Sequence, residues 1–123
     1  MKKITYVAAL IAIMTVPSYA QAWDVYIYNK TSISIGVEVS ETFNWGIVAQ
    51  TCLVHLAPGD NIKCSTHYLG FACPTGATIK NSDTGLDLQA TQSGVSNKCT
   101  NTRLEVTYDE QSKNYRAIWY TQY

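Results

Sequence analysis

The sequence is poor in charge and carries little that marks a catalytic centre. Charged residues make up 15% of its 123 positions, with 9 Lys+Arg against 9 Asp+Glu, so it lacks the basic excess that a charge-driven nucleic-acid binder needs. It has only two histidines, and it lacks a Gly-x-Ser-x-Gly elbow, a His-Glu-x-x-His motif, a phosphate-binding glycine loop and a calcium loop. We therefore expect no enzyme, no metal site and no cofactor.

The first 20 residues have the three parts of a secretory signal. Two lysines follow the initiator Met, an apolar run occupies residues 7–16, and small residues allow cleavage after Ala20 or, alternatively, after Ala22. The run is about half the ~20 residues needed to span a bilayer, which disfavours a membrane anchor. Removal of residues 1–20 leaves one domain over residues 21–123, which we expect to be secreted or periplasmic.

The rest of the chain alternates between apolar and polar residues with a period of two. Ile33, Ile35, Val37 and Val39 are separated by polar or small residues, which is typical of a half-buried strand. Further strands are predicted at 23–28, 48–56, 61–66, 77–80, 86–91, 103–108 and 115–120. With 46% hydrophobic residues, this pattern predicts an all-β fold of seven or eight strands, either a small antiparallel β-sandwich or a compact barrel.

The opening of the domain combines a strand at 23–28, an Asn-Lys-Thr turn and an alternating strand at 32–40. This pattern resembles the first hairpin of exported β-sandwiches such as the thaumatin-like and aegerolysin-like proteins. The cysteine-rich pattern of the former and the Trp-Asp-Cys-Pro-Trp run of the latter are absent, so no family is assigned. The resemblance implies a β-sandwich whose first two strands form a hairpin.

Four cysteines lie in the exported part, and an even count in a small exported chain predicts two disulfides. Three pairings are possible. If the strands on either side of Pro58 form a hairpin, Cys52 faces Cys64 on the neighbouring strand. That pairing leaves Cys73 to bond Cys99, and we favour this pair of disulfides.

A metal site is the rival interpretation of the same cysteines. Cys52-x-x-His55 and Cys64-x-x-His67 repeat a spacing found in zinc sites. Residues three apart in a strand point to opposite faces, and export favours oxidation, so the sequence favours disulfides. The same two histidines are the only candidate bases for a serine nucleophile, and nothing in the sequence selects a serine.

Aromatic side chains give the best candidates for a binding surface, because Tyr and Trp are over-represented at interfaces. Period-two alternation places Tyr26 and Tyr28 on the face opposite to the core, and Tyr120 likewise in the last strand. If the first and last strands are neighbours, these three tyrosines form one exposed patch. Trp45 lies at a predicted turn and is a second candidate.

Together these features favour an exported, non-catalytic binding protein. We expect it to use the aromatic residues and the polar segment 91–102 around Cys99 to bind a protein or a glycan, in the manner of a periplasmic inhibitor or an immunity-type protein. A small secreted membrane-active toxin with a β-sandwich fold is the alternative, because Trp and Tyr favour the bilayer interface. A hydrolase that uses the two histidines is the third class.

Overall fold

The structure is a computed structural model that describes residues 23–42, 48–66 and 72–122, and these residues form eight strands and no helix. The strands are β1 (Asp24–Asn29), β2 (Ile35–Thr42), β3 (Val48–Leu56), β4 (Asn61–Ser65), β5 (Cys73–Asn81), β6 (Thr91–Gly94), β7 (Thr102–Asp109) and β8 (Asn114–Thr121). The all-β prediction is confirmed. The predicted signal peptide at residues 1–20 lies outside the described residues.

The strands form two open sheets that share one core. The five-stranded sheet has the order β4-β1-β7-β8-β6, and the three-stranded sheet has the order β3-β2-β5. A single cluster of buried hydrophobic side chains draws Ile27 and Leu104 from the first sheet and Val37 and Ile79 from the second. Neither sheet closes on itself, so the compact-barrel alternative is wrong.

Alternation along each strand decides which side chains enter this core. In β1, Val25 and Ile27 are buried, while Tyr26 and Tyr28, which alternate with them, face the other way and are half-buried. Trp119 of β8 is only 1% exposed, yet its indole Nε1 donates to Oε1 of Gln92 at 3.0 Å. The same Gln92 donates from Nε2 to the carbonyl of Ala77 at 2.7 Å. Gln92 thus satisfies the buried indole and links the edge strand β6 to the opposite sheet.

The predicted antiparallel arrangement is wrong at two places. β1 runs parallel to β7, and β6 runs parallel to β8. β1 and β2 lie in different sheets, as do β3 and β4, so neither predicted hairpin forms. Alternation specifies which face of a strand is buried, but both sheets bury one face against the same core, so it does not specify the sheet to which the strand belongs.

The prediction is also wrong after the turn at residues 82–85. Residues 86–90 hold no strand, since the only pairing there is an isolated bridge between Lys80 and Asp87. Gln89 then turns the chain, with a backbone φ of 51°. The chain that leaves the turn therefore runs beside the end of β5 only briefly, through backbone hydrogen bonds from Asn81 to Leu86 and from Leu88 to Ile79.

Strand β6 occupies the start of the segment for which the sequence predicts a polar loop. Its residues are all exposed, and it pairs with β8 along the edge of the five-stranded sheet. Gly94 permits this pairing, because its φ is 102° and a Cβ there would lie 2.7 Å from the backbone nitrogen of Trp119. The strand thus depends on the absence of a side chain and not on apolar alternation.

The two disulfides have the predicted pairing, but one of them joins strands of different sheets and not the strands of a hairpin. Cys52 bonds Cys64, with Cα atoms 6.3 Å apart, and Cys73 bonds Cys99, with Cα atoms 4.8 Å apart. The first bridge joins β3 of one sheet to β4 of the other, so it crosses between the sheets instead of joining neighbours in a hairpin. Because its two cysteines are bonded to each other, the zinc interpretation of this pair is wrong.

A buried asparagine joins the two sheets at the end of β1. Asn29 is 1% exposed, and its Nδ2 donates to the carbonyl oxygens of Ile33 at 2.9 Å and Leu56 at 3.0 Å. Its Oδ1 accepts from the backbone amide of Thr31 at 2.9 Å and from the Thr31 hydroxyl at 2.6 Å. The side chain therefore holds the turn after β1 against the end of β3 in the other sheet.

Candidate functional site

The outer face of the five-stranded sheet brings together three of the four predicted site residues. Tyr26 and Tyr28 of β1 and Tyr120 of β8 are half-buried and lie on the side of the sheet away from the core. The first and last strands are not neighbours, however, because β7 lies between them. The fourth candidate, Trp45, lies outside the described residues.

Strand β7 places charged side chains between the tyrosines. Arg103 is the cross-strand partner of both Tyr26 and Tyr120, and Glu105 lies beside Tyr28 in the next row. Adjacent strands are about 4.8 Å apart, so the Cα atoms of Tyr26 and Tyr120 are about 10 Å apart. We call these five residues, Tyr26, Tyr28, Arg103, Glu105 and Tyr120, the tyrosine face.

The arginine at the centre of the tyrosine face is held from two sides. Its Nε lies 2.7 Å from Oε2 of Glu105, and its guanidinium carbon lies 4.6 Å from the centroid of the Tyr120 ring. Oε1 of the same glutamate lies 2.9 Å from Nζ of Lys30, and the glutamate side chain is only 12% exposed. Two cations thus fix one carboxylate, and that carboxylate fixes the arginine beside the ring.

A second ion pair lies at the far end of the same face. Asp109, the last residue of β7, accepts from the backbone amide of Gln111 at 3.0 Å, and its Oδ2 lies 2.7 Å from Nη2 of Arg116. The hydrogen bond from the Gln111 amide, a hydrogen bond from the Ser112 side chain and the nearby guanidinium hold the pKa of this carboxyl below its usual value. Asp109 and Arg116 are therefore paired with each other at this end of the sheet.

The segment that contains Cys99 lies at the other end of this sheet. Oδ1 of Asn101 accepts from the amide of Asp24 at 2.9 Å, and the Asn101 carbonyl accepts from the amide of Gln122 at 2.9 Å. Asn101 precedes Arg103 by two residues, so this contact lies at the end of the sheet where the first row of the tyrosine face is found. The predicted polar loop is thus attached to the first and last strands beside the tyrosines.

The arginine and glutamate of the tyrosine face were not among the residues selected from the sequence. Alternation alone places Arg103 and Glu105 on the outer side of β7, because Leu104 and Val106 between and beyond them are buried. The missing information was the strand order, since only the insertion of β7 between β1 and β8 brings these charges next to the tyrosines.

One of the two histidines contacts a serine on the three-stranded sheet. Nδ1 of His55 lies 3.1 Å from Oγ of Ser82, in the turn after β5. Every backbone amide from residue 82 to 86 already donates a hydrogen bond, either within the turn or to the carbonyl of Ser34. The turn therefore offers no free amide to stabilise an oxyanion beside this serine. His67 lies outside the described residues.

The described residues contain no group of three or more His, Cys, Asp or Glu side chains placed to hold a metal ion. In the same part of the chain, no helix has the length and apolar character needed to cross a membrane.

Comparison with known proteins assigns no family. No protein-family model matches the chain, and no curated protein matches it. One solved structure with a similar course of the chain is the NMR structure of a protein from Eubacterium rectale. It is 16% identical, with a TM-score of 0.44 over 81% of this chain and 87% of that chain.

Proposed function

We propose that this chain is an exported, non-enzymatic binding protein that binds a protein partner through the tyrosine face. The observation that carries the proposal is the row of Tyr26, Arg103 and Tyr120, with the guanidinium held 2.7 Å from Glu105 and 4.6 Å from a tyrosine ring. Tyrosine and arginine are enriched among the residues that contribute most to protein–protein binding, and such residues cluster near the centre of an interface.

The fixed position of the arginine favours binding because it reduces the conformational entropy that is lost on association. Ordering a mobile side chain at an interface costs about 0.5–1.5 kcal/mol. Arg103 already has an ion-pair partner and a stacked ring before any ligand arrives. Tyrosine has only two side-chain torsions, so Tyr26 and Tyr28 also lose little freedom on contact.

The dimensions of the face favour a protein over a small ligand. The outer face of the whole five-stranded sheet, at about 4.8 Å per strand and about six residues of ~3.3 Å each, has an area near 480 Å². A standard interface buries about 800 Å² on each partner, so the tyrosine face and the segment that ends at Asn101 would supply its centre and part of its rim. Small-molecule sites are instead concave, whereas this face is the pleated surface of a sheet.

Two further observations support the other parts of the proposal. The two disulfides are compatible with a secreted or periplasmic protein, where thiols are oxidised. Every backbone amide of the turn that holds Ser82 already donates a hydrogen bond, which supports a role in binding over one in hydrolysis. An inhibitor or immunity-type protein that covers an enzyme is one form that such a binder takes.

The experiment is affinity capture from envelope and culture-medium extracts, followed by calorimetric titration with the recovered partner. We expect Tyr26→Ala and Arg103→Ala each to weaken the affinity at least tenfold. Tyr108→Ala is the matched control, because this tyrosine is 41% exposed and alternation places it on the opposite side of β7. We expect that control to bind as the wild type does.

The outcome that contradicts the proposal is a partner whose affinity is unchanged by both substitutions in variants that melt near the wild-type temperature. A glycan array probed with the same proteins tests the other ligand class. Binding to a glycan that is lost in Tyr26→Ala would keep the face as the site and replace the protein partner with a carbohydrate. N-terminal sequencing of the secreted protein and thiol alkylation test export and the two disulfides.

A further inference from the structure

The outer face of the three-stranded sheet contains a hollow of about 170 Å³, away from the tyrosine face. Gly36 of the central strand β2 forms its floor, and the cross-strand partners of this glycine are His55 on β3 and Lys80 on β5. The row thus has a gap at its centre between two long side chains. A Cβ at position 36 would lie 3.3 Å from Cε1 of His55, so the imidazole leans over the glycine.

Two opposite charges line the hollow without neutralising each other. Glu38 is the next outward residue on β2, and it is a diagonal neighbour of Lys80 across the β2–β5 pair. Among the described residues, neither side chain has an ion-pair partner within 4.0 Å. Diagonal neighbours in a sheet are roughly 7–8 Å apart, so a short molecule that bears both charges can reach the carboxylate and the ammonium together.

The remaining walls differ in character on the two sides. Leu53 of β3 is the cross-strand partner of Glu38 and is 54% exposed, so it presents an apolar surface to the hollow. Asn81 and Ser82 form the polar end of the hollow, where the turn after β5 begins. A ligand that fits this arrangement has an apolar part beside the leucine and two charged groups beside the glutamate and the lysine.

The volume limits the size of that ligand. Pockets for drug-sized ligands measure roughly 300–1,000 Å³. The hollow of about 170 Å³ is therefore suited to a ligand smaller than a drug-sized molecule.

We propose that this hollow binds a free α-amino acid with an apolar side chain. The α-ammonium group donates to the Glu38 carboxylate, the α-carboxylate accepts from the Lys80 ammonium, and the side chain packs against Leu53. An α-amino acid suits the site because its opposite charges are separated by one carbon and its size matches the volume. The site uses neither a strand nor a side chain of the tyrosine face, so it is independent of the proposed protein partner.

The test is a titration of the disulfide-intact protein at pH 7, followed by two-dimensional ¹H–¹⁵N NMR. The probes are L-leucine, isopentylamine, which lacks the carboxylate, and 4-methylpentanoate, which lacks the ammonium. We expect L-leucine to shift the amide signals of Gly36, Glu38 and Lys80 saturably. We expect each single-charge analogue to bind at least tenfold more weakly, because one charge-assisted hydrogen bond is missing.

Substitutions then assign each charge. Glu38→Gln and Lys80→Gln should each weaken L-leucine binding at least tenfold. Glu110→Gln and Lys113→Gln are the matched controls, because these exposed residues lie at the connection between β7 and β8. We expect both controls to bind L-leucine within twofold of the wild-type affinity.

Three results would overturn the proposal. The first is the absence of saturable shifts around Gly36 with L-leucine. The second is an analogue with one charge that binds as well as the amino acid, which the wild-type protein tests even if a variant fails to fold. The third is a loss of binding in only one of the two variants, Glu38→Gln or Lys80→Gln, since a zwitterion needs both charges.

Discussion

Replacing Asn29 with alanine should destabilise the protein more than any comparable change of an exposed asparagine. The native side chain makes four hydrogen bonds, two from Nδ2 to the carbonyls of Ile33 and Leu56 and two to Oδ1 from Thr31. Alanine removes all four at a site that is 1% exposed, so water does not readily replace them. The turn after β1 also loses its attachment to β3 in the other sheet.

The expected loss of stability follows from the number of hydrogen bonds that are removed and from the contacts that remain. A typical intramolecular hydrogen bond contributes about 1 kcal/mol net, which gives about 4 kcal/mol for four bonds. The single proton of the Thr31 hydroxyl is shared between Asn29 and the Ile33 carbonyl, 3.1 Å away, and in the variant it is donated wholly to that carbonyl, which recovers part of the loss. We expect the free energy of unfolding to fall by about 3 kcal/mol, which corresponds to a fall in melting temperature of roughly 12–24 °C for a domain of this size.

Urea and thermal denaturation followed by circular dichroism, with the disulfides intact, provide the measurement. Asn114→Ala is the matched control at an exposed strand residue, and it should stay within about 0.5 kcal/mol of the wild type. Asn29→Asp adds a second test, because a buried carboxylate facing two carbonyl oxygens has a raised pKa. That variant should be least stable at neutral pH and should gain stability as the pH falls through the raised pKa. A loss below about 1 kcal/mol in Asn29→Ala would refute the reasoning.

Three other changes test the scaffold. Gly94→Ala should cost at least about 2 kcal/mol, because the new Cβ would overlap the β8 backbone, whereas Gly59→Ala, also at positive φ but with nothing within 4 Å, should cost about 1 kcal/mol in the same denaturation assay. Replacing Cys73 and Cys99 with serine opens a loop with a sequence separation of 26 and should lower the free energy of unfolding by about 3.5 kcal/mol. Asp109→Asn should lower the melting temperature at pH 7, and the difference from the wild type should shrink as the pH falls below the ordinary pKa of the carboxyl. The pKa of that carboxyl is depressed, so its stabilising effect is present above the ordinary pKa and disappears as the pH falls.

The faces of the strands could be predicted from the sequence because alternation is a local property. Val25 and Ile27 enter the core and Tyr26 and Tyr28 do not, as the period of two requires. Trp119 likewise faces inward, and the tyrosine that follows it faces outward. These assignments hold whichever strand lies alongside.

The partners of the strands could not be predicted in the same way. Pairing joins distant segments, as in the parallel contact of β1 with β7, and no local pattern identifies such a partner. The bridge between Cys52 and Cys64 illustrates the difference, because its pairing was predicted from a hairpin that does not form. Cys52 and Cys64 are equally far from Pro58 in the sequence, so they lie opposite each other when the chain reverses direction there. This holds whether the two strands are neighbours in one sheet or lie in two facing sheets.

The candidate sites depend on these non-local contacts. Arg103 becomes part of the tyrosine face only when β7 separates β1 from β8. The hollow above Gly36 appears only when β3 and β5 flank β2 and place His55 and Lys80 on either side of the glycine. In both cases the side chains could be identified from the sequence, but only the strand order shows which of them are neighbours.

The position of β7 links the stability of the fold to the proposed binding surface. Its inward residues, Leu104 and Val106, are fully buried, and its outward residues, Arg103 and Glu105, are enclosed by the strands on both sides. Because β7 is a central strand, the arginine of the tyrosine face has a fixed place in the sheet. Because Glu105 is held by Lys30 as well, Arg103→Ala leaves that carboxylate with one cation and should lower stability only slightly. A large loss of affinity with a small change in melting temperature would then separate binding from folding at this position.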